Sequence, residues 1–97
     1  MKFLESIKIK FAISRIIKME KFFDDLRFSF EKSKEEFYKN KNLQKKLKVL
    51  TNYYENGKWL KDYQLDEENL LPKNLKRGIL SQDGIYNFLS EVESREV

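Results

Sequence analysis

From Ile9 to Phe37 the apolar residues recur every seven positions. One row is Ile9, Ile16, Phe23, Phe30 and Phe37; a second is Ala12, Met19 and Leu26, continued by Ser33 and Asn40. An a/d spacing of this kind lays one apolar seam along a single long helix, here from about residue 5 to 39. Asn40-Lys41-Asn42 reads as a polar turn. Leu43, Leu47, Leu50 and Tyr54 then follow at helical spacing and mark a second helix, ended by Asn56-Gly57 with Gly57 as its left-handed cap. Two helices joined by so short a turn are predicted to fold back as an antiparallel hairpin.

Periodicity weakens beyond Gly57. Lys58-Trp59-Leu60-Lys61-Asp62-Tyr63 reads as an irregular aromatic loop, followed by the acidic run Asp66-Glu67-Glu68. Pro72 is placed to open a short helical turn through Arg77, closed by Gly78. Ser81 is a cap for a last helix, with Asp83 in its first turn and Ile85, Phe88, Leu89 and Val92 as its buried stripe. The expected fold class is therefore all-α: a long antiparallel helical hairpin closed by an irregular aromatic loop, a short helical turn and a C-terminal helix.

This layout carries a mismatch of lengths. A helix over residues 5–39 is roughly 50 Å long, whereas the second helix covers only about 20 Å. The second helix can shield Leu26 to Phe37 but not Ile9 to Phe23. The C-terminal segment, a kink or another chain has to cover the rest.

Composition narrows the class further. Ninety-seven residues suit a single domain, 1–97. The chain has no cysteine and no histidine, which removes disulfides, thiolate and imidazole metal sites, and the commonest general base. Hydrophobic residues at 40% beside charged residues at 37% fit a folded, well-solvated helical protein. The net charge of +4 hides an asymmetry: residues 1–50 hold 14 Lys/Arg against 7 Asp/Glu, and residues 51–97 hold 6 against 9. A basic half and an acidic half can attract one another within a chain or between chains. Glu5, Lys8 and Lys10 break the opening apolar run too early for a signal peptide. No stretch approaches the ~18 apolar residues of a membrane span, so a cytoplasmic location is the expectation.

Two blocks resemble a known family. The run Tyr53-Tyr54-Glu55-Asn56-Gly57-Lys58-Trp59-Leu60-Lys61-Asp62-Tyr63 is one; Leu70-Leu71-Pro72-Lys73-Asn74-Leu75-Lys76-Arg77-Gly78-Ile79-Leu80-Ser81, continued by Asp83-Gly84-Ile85-Tyr86-Asn87, is the other. With Arg15-Ile16 and Met19-Glu20 upstream, they resemble the bacterial domain of unknown function 4298 family. The family-like region is expected over 15–89, and residues 1–14 form a basic amphipathic N-terminal extension of the first helix. The resemblance implies a helical bacterial protein and carries over no activity.

Candidate sites follow from the remaining chemistry. No catalytic, cofactor-binding or metal-binding residues are expected, and no small-molecule substrate. Asp62, Asp66, Glu67 and Glu68 lack the spacing and glycine of a calcium loop. Lys76-Arg77-Gly78 near a helix start hints at an anion site, but Asp83 in the first turn opposes it. The N-terminal segment, with Phe3, Leu4, Ile7, Phe11 and Ile17 among lysines, is open to internal packing, self-association or, least favoured, a membrane surface. The leading expectation is a non-enzymatic interaction module that binds a protein partner or a second copy through Ile9, Ile16, Phe23, Trp59 and Tyr63. One alternative is a nucleic-acid-associated accessory protein using Lys39, Lys41, Lys45, Lys46 and Lys48; another is a mobile-element inhibitor occluding a nucleic-acid-handling enzyme.

Overall fold

The computed structural model describes residues 2–95. In the N-terminal extension, the side chains of Lys2 and Phe3 lie outside the described residues. Five α-helices form: α1 (Lys2–Lys32), α2 (Lys34–Lys39), α3 (Lys41–Glu55), α4 (Lys58–Glu67) and α5 (Gln82–Arg95), with a 3-10 turn at Gly78–Leu80. The seven-residue rows predict the buried face well. Ala12, Ile16, Met19, Phe23, Leu26, Phe30 and Phe37 are all buried, while Ile9 is half-buried.

The long first helix is interrupted at Ser33. Its backbone is extended there, and its hydroxyl accepts the Glu36 amide at 3.2 Å. Ser33-Lys34-Glu35-Glu36 carries the S-x-x-E spacing of a helix start, so local capping competes with continuation and wins. The break leaves Phe30 and Phe37 edge-to-face at 5.1 Å. The following turn is tighter than predicted. Asn40 alone separates α2 from α3, and its side chain accepts the Leu43 amide at 3.0 Å.

The chain then runs back along α1. Lys46 in α3 pairs with Asp25 at 3.1 Å, whereas Tyr53, further along α3, meets Asp62 beside Arg15. Rising numbers on α3 thus match falling numbers on α1, which makes the hairpin antiparallel. Gly57 adopts the left-handed conformation predicted for it (φ 88°), a geometry any side chain would strain.

Two expectations are corrected downstream of Gly57. Lys58 to Tyr63 is not an irregular loop but the start of helix α4. Trp59, Asp62, Tyr63 and Asp66 fall at helical intervals and turn one face toward the core and its partners. Pro72 does not open a helical turn; Pro72 to Leu75 forms a simple turn closed by the Leu75 amide, and helical geometry begins only at Gly78. Ser81 caps α5 as predicted, accepting the Gly84 amide at 3.2 Å.

The length mismatch is resolved within the chain. At 31 residues α1 is about 46 Å long, and it sets the long axis of a molecule measuring 48 × 24 × 22 Å. The 3-10 turn and the C-terminal segment cover what α3 cannot reach. Phe23 meets Phe88 of α5 edge-on at 5.7 Å, and Ile79, Leu80, Ile85 and Val92 join the same buried cluster.

Phe23 is fully buried between α1 and α5. Phe23→Ala is therefore expected to lose about 3–5 kcal/mol in chemical denaturation. Phe28→Ala, at a side chain 67% exposed on the same helix, should stay within about 0.5 kcal/mol of the parent.

Candidate interaction surfaces

A carboxylate at position 62 is costly to bury, so its surroundings explain why it is there. Asp62 is completely buried. It accepts hydrogen bonds from Arg15 Nε at 2.9 Å and from the second Arg15 nitrogen, and from the Tyr53 hydroxyl at 2.8 Å. The charge is thus neutralised by a forked guanidinium and both its oxygens are satisfied. Arg15 is held above its ordinary value, first by that hydrogen bond. Burial, then the bond to Asp62, pushes the Tyr53 phenol well above the ordinary range.

A second set of clamps ties the loop after α4 to α1. Glu20 is buried and accepts the Ile79 amide at 2.7 Å. A methyl group at Gly78 would lie 3.0 Å from the same carboxylate, so a side chain there would press on the Glu20 clamp. Trp59 Nε1 donates to the Ile79 carbonyl at 2.8 Å, while its ring stacks on Tyr63 at 5.1 Å and meets Tyr54 edge-on. Arg77 binds Asp66 and the Pro72 carbonyl. Lys76 reaches Asp24 at 3.1 Å. At Asp24, burial opposes ionisation, but hydrogen bonds from Arg27 and Lys76 outweigh it and lower the pKa.

These clamps reassign the residues expected to meet a partner. Ile16 and Phe23 are fully buried and Trp59 nearly so; their side chains are occupied by the chain's own core. Tyr63 is half-buried against Trp59, and Ile9 is half-buried near the start of α1. The over-long apolar rod is real, and the C-terminal segment, one of the covers expected, hides its middle. Leu4 and Phe11 are exposed near the start of α1, and Phe11 lines a hollow beside Lys61, Gln64 and Leu65 of α4. Among the described residues no group of His, Cys, Asp or Glu could hold a metal ion.

The five lysines singled out do not act together. Lys46 turns inward to Asp25 and the ring of Phe22. Lys39, Lys41, Lys45 and Lys48 line one hollow of about 630 Å³. Lys39 is paired with Glu35; Lys41, Lys45 and Lys48 make no ion pair among the described residues. This hollow adjoins a second, of about 380 Å³, where Tyr54, Tyr86 and Leu89 line the space between α3 and α5. The two share Leu47, Thr51 and Glu55 and form one open furrow along α3. Tyr38, whose hydroxyl donates to the Val92 carbonyl at 2.6 Å, ties α2 to the end of α5 beside it. Sequence periodicity could not find the furrow, because it depends on how far apart α3 and α5 lie.

Clamped helices around a fully paired interior define an all-helical hairpin protein. The chain belongs to the family described as a domain of unknown function (DUF4298), whose pattern it matches over residues 16–95. The match runs to the end of α5, further than the 15–89 expected. No curated protein and no solved structure shows a significant match. No described helix is long and apolar enough to cross a membrane. The blocks that carry the family resemblance converge on the clamps: Met19-Glu20, Trp59 to Asp62 and Arg77 to Leu80 hold one another in place.

Asp62→Ala should cost about 3 kcal/mol in denaturation, because it strands the Tyr53 hydroxyl and the Arg15 charge. Arg15→Met combined with Asp62→Leu should recover most of it. The Tyr53 pKa is raised on folding, so the stability it contributes is complete below the unfolded phenol value of about 10 and is lost as pH rises beyond it. In an alkaline absorbance titration Tyr53 should ionise only as the chain unfolds, a delayed step that Tyr53→Phe removes.

Proposed function

We propose that this protein is a non-enzymatic interaction module that binds a protein partner in the furrow between α3 and α5. The observation that carries this reading is the position of two aromatics from the family-like blocks. Tyr54 is half-buried and Tyr86 is 58% exposed, and both line the furrow. Aromatic rings with polar tips, set over an apolar floor and open to water, are the side chains that dominate protein–protein contacts. The interior supports the same reading, since Asp62 and Glu20 are held by internal partners and neither is poised for acid–base work.

Self-association is a second reading, favoured by the exposed Leu4 and Phe11 at the start of α1. Two such side chains per copy fall well short of the roughly 1,200 Å² that a stable interface buries. The lysines around them would also repel one another between copies. A nucleic-acid role rests on Lys39, Lys41, Lys45 and Lys48 alone, and the furrow they open into also carries Glu55 and Glu93. A cytoplasmic setting and an inhibitor role both fit a protein-binding module and await the partner.

A photoreactive residue in place of Asn52, on the rim of the furrow, tests the assignment inside cells of the host. The expected product is a discrete nuclease-resistant protein adduct, absent when the probe replaces exposed Ser14 and reduced by Tyr86→Ala. An adduct at twice the chain mass alone would shift the reading to self-association, and a nuclease-sensitive adduct would shift it to nucleic acid. No adduct above the Ser14 control would overturn it.

A further inference from the structure

The furrow has a definite chemistry, and that chemistry selects the kind of partner. Lys41, Lys45 and Lys48 stand at i, i+4 and i+7 on one lip, so their ammonium groups lie along a single line of α3. Like charges at such spacing weaken the helix they stand on, and no acid of the described residues pairs with any of the three. The first turn of α3 contains no acidic residue either. The floor is apolar, with Leu47 and Leu89 among its side chains. Glu55 ends the α3 lip, and the opposite lip, on α5, carries Glu93.

We infer that the furrow receives an amphipathic helix of another protein, laid along α3 with an acidic flank against Lys41, Lys45 and Lys48 and its apolar stripe on Leu47 and Leu89. This rests on the protein-binding reading above and specifies the partner's chemistry. Helix-in-groove recognition needs an apolar trough about as long as a few helical turns, with charge along one edge to fix orientation. The lip from Lys41 to Asn52 runs about 16 Å, or three turns. A nucleic-acid strand fits less well. It carries charge along its whole length and would meet Glu93 on the α5 lip and Glu55 at the end of the α3 lip, and the Tyr38 hydroxyl is already held by the Val92 carbonyl. A second copy fits less well too: Leu4 and Phe11 stand by Lys8, and the acids beside Ile17, Glu20, Asp24 and Asp25, are already held by the Ile79 amide, Lys76 and Lys46.

The test uses three labelled probes and fluorescence anisotropy on the full chain. One is a synthetic helix of about 15 residues with leucines on one face and glutamates on its flanks; the second replaces each glutamate by lysine; the third is an oligothymidylate. The glutamate peptide should bind about tenfold more tightly than the lysine peptide, with affinity falling as salt rises. The triple change Lys41→Glu, Lys45→Glu, Lys48→Glu should weaken it about tenfold, while Lys73→Glu leaves it unchanged; equal melting temperatures establish that all variants fold. Equal binding of the two peptides, or no effect of the triple change, would refute the inference, as would an oligothymidylate that displaces the glutamate peptide. If no peptide binds while the Asn52 probe still captures a protein, the acidic helix is wrong and the protein-binding reading stands. If both experiments fail, both are wrong.

Discussion

Everything in this molecule depends on keeping one long apolar stripe dry. Helix α1 is twice the length of α3, so no single neighbour can cover it. The chain solves this with several short pieces laid end to end along the same face. α2 and α3 cover the last turns of α1, while α4, the 3-10 turn and α5 cover the middle, where Ile16, Met19 and Phe23 lie. Because each piece is short, none holds its place by burial alone. Directed polar contacts supply the missing positional information: Arg15 and Tyr53 on Asp62, Glu20 on the Ile79 amide, and Trp59 on the Ile79 carbonyl. Buried charges of this kind add little net stability, but they strongly disfavour any arrangement that leaves them unpaired.

The same constraint explains where the surface is left open. Short covering helices cannot all pack against one another as well as against α1. α3 and α5 both rest on the long helix and leave a furrow between them, and the first turns of α1 run on past the end of their cover. These two places expose Tyr86, Leu4 and Phe11. A fold whose recognisable motifs serve as internal clamps has its changeable chemistry on such outer faces.

Several features needed only local physics. Seven-residue spacing identifies the buried rows from Ala12 to Phe37, because a helix repeats its face at nearly that interval. The left-handed position at Gly57 and the cap at Ser81 are equally local, each a matter of one residue's backbone or one hydroxyl. The break at Ser33 and the helical run from Trp59 to Asp66 were also written locally, in an S-x-x-E spacing and an i, i+3, i+4, i+7 pattern. They were hidden because the first sits inside a stronger heptad signal and the second follows a glycine with little flanking periodicity.

What the amino-acid sequence determined unaided was the class of the fold, the face of α1 that must be buried, and the absence of thiol and imidazole chemistry. Each follows from residue type and spacing. Only the tertiary structure decided which segment covers Ile16 and Phe23, that Lys46 faces inward while Lys41, Lys45 and Lys48 face out, and that Tyr54 and Tyr86 line one furrow. Those outcomes depend on contacts between residues tens of positions apart. Periodicity shows that a face must be hidden; it carries no information about which distant segment hides it.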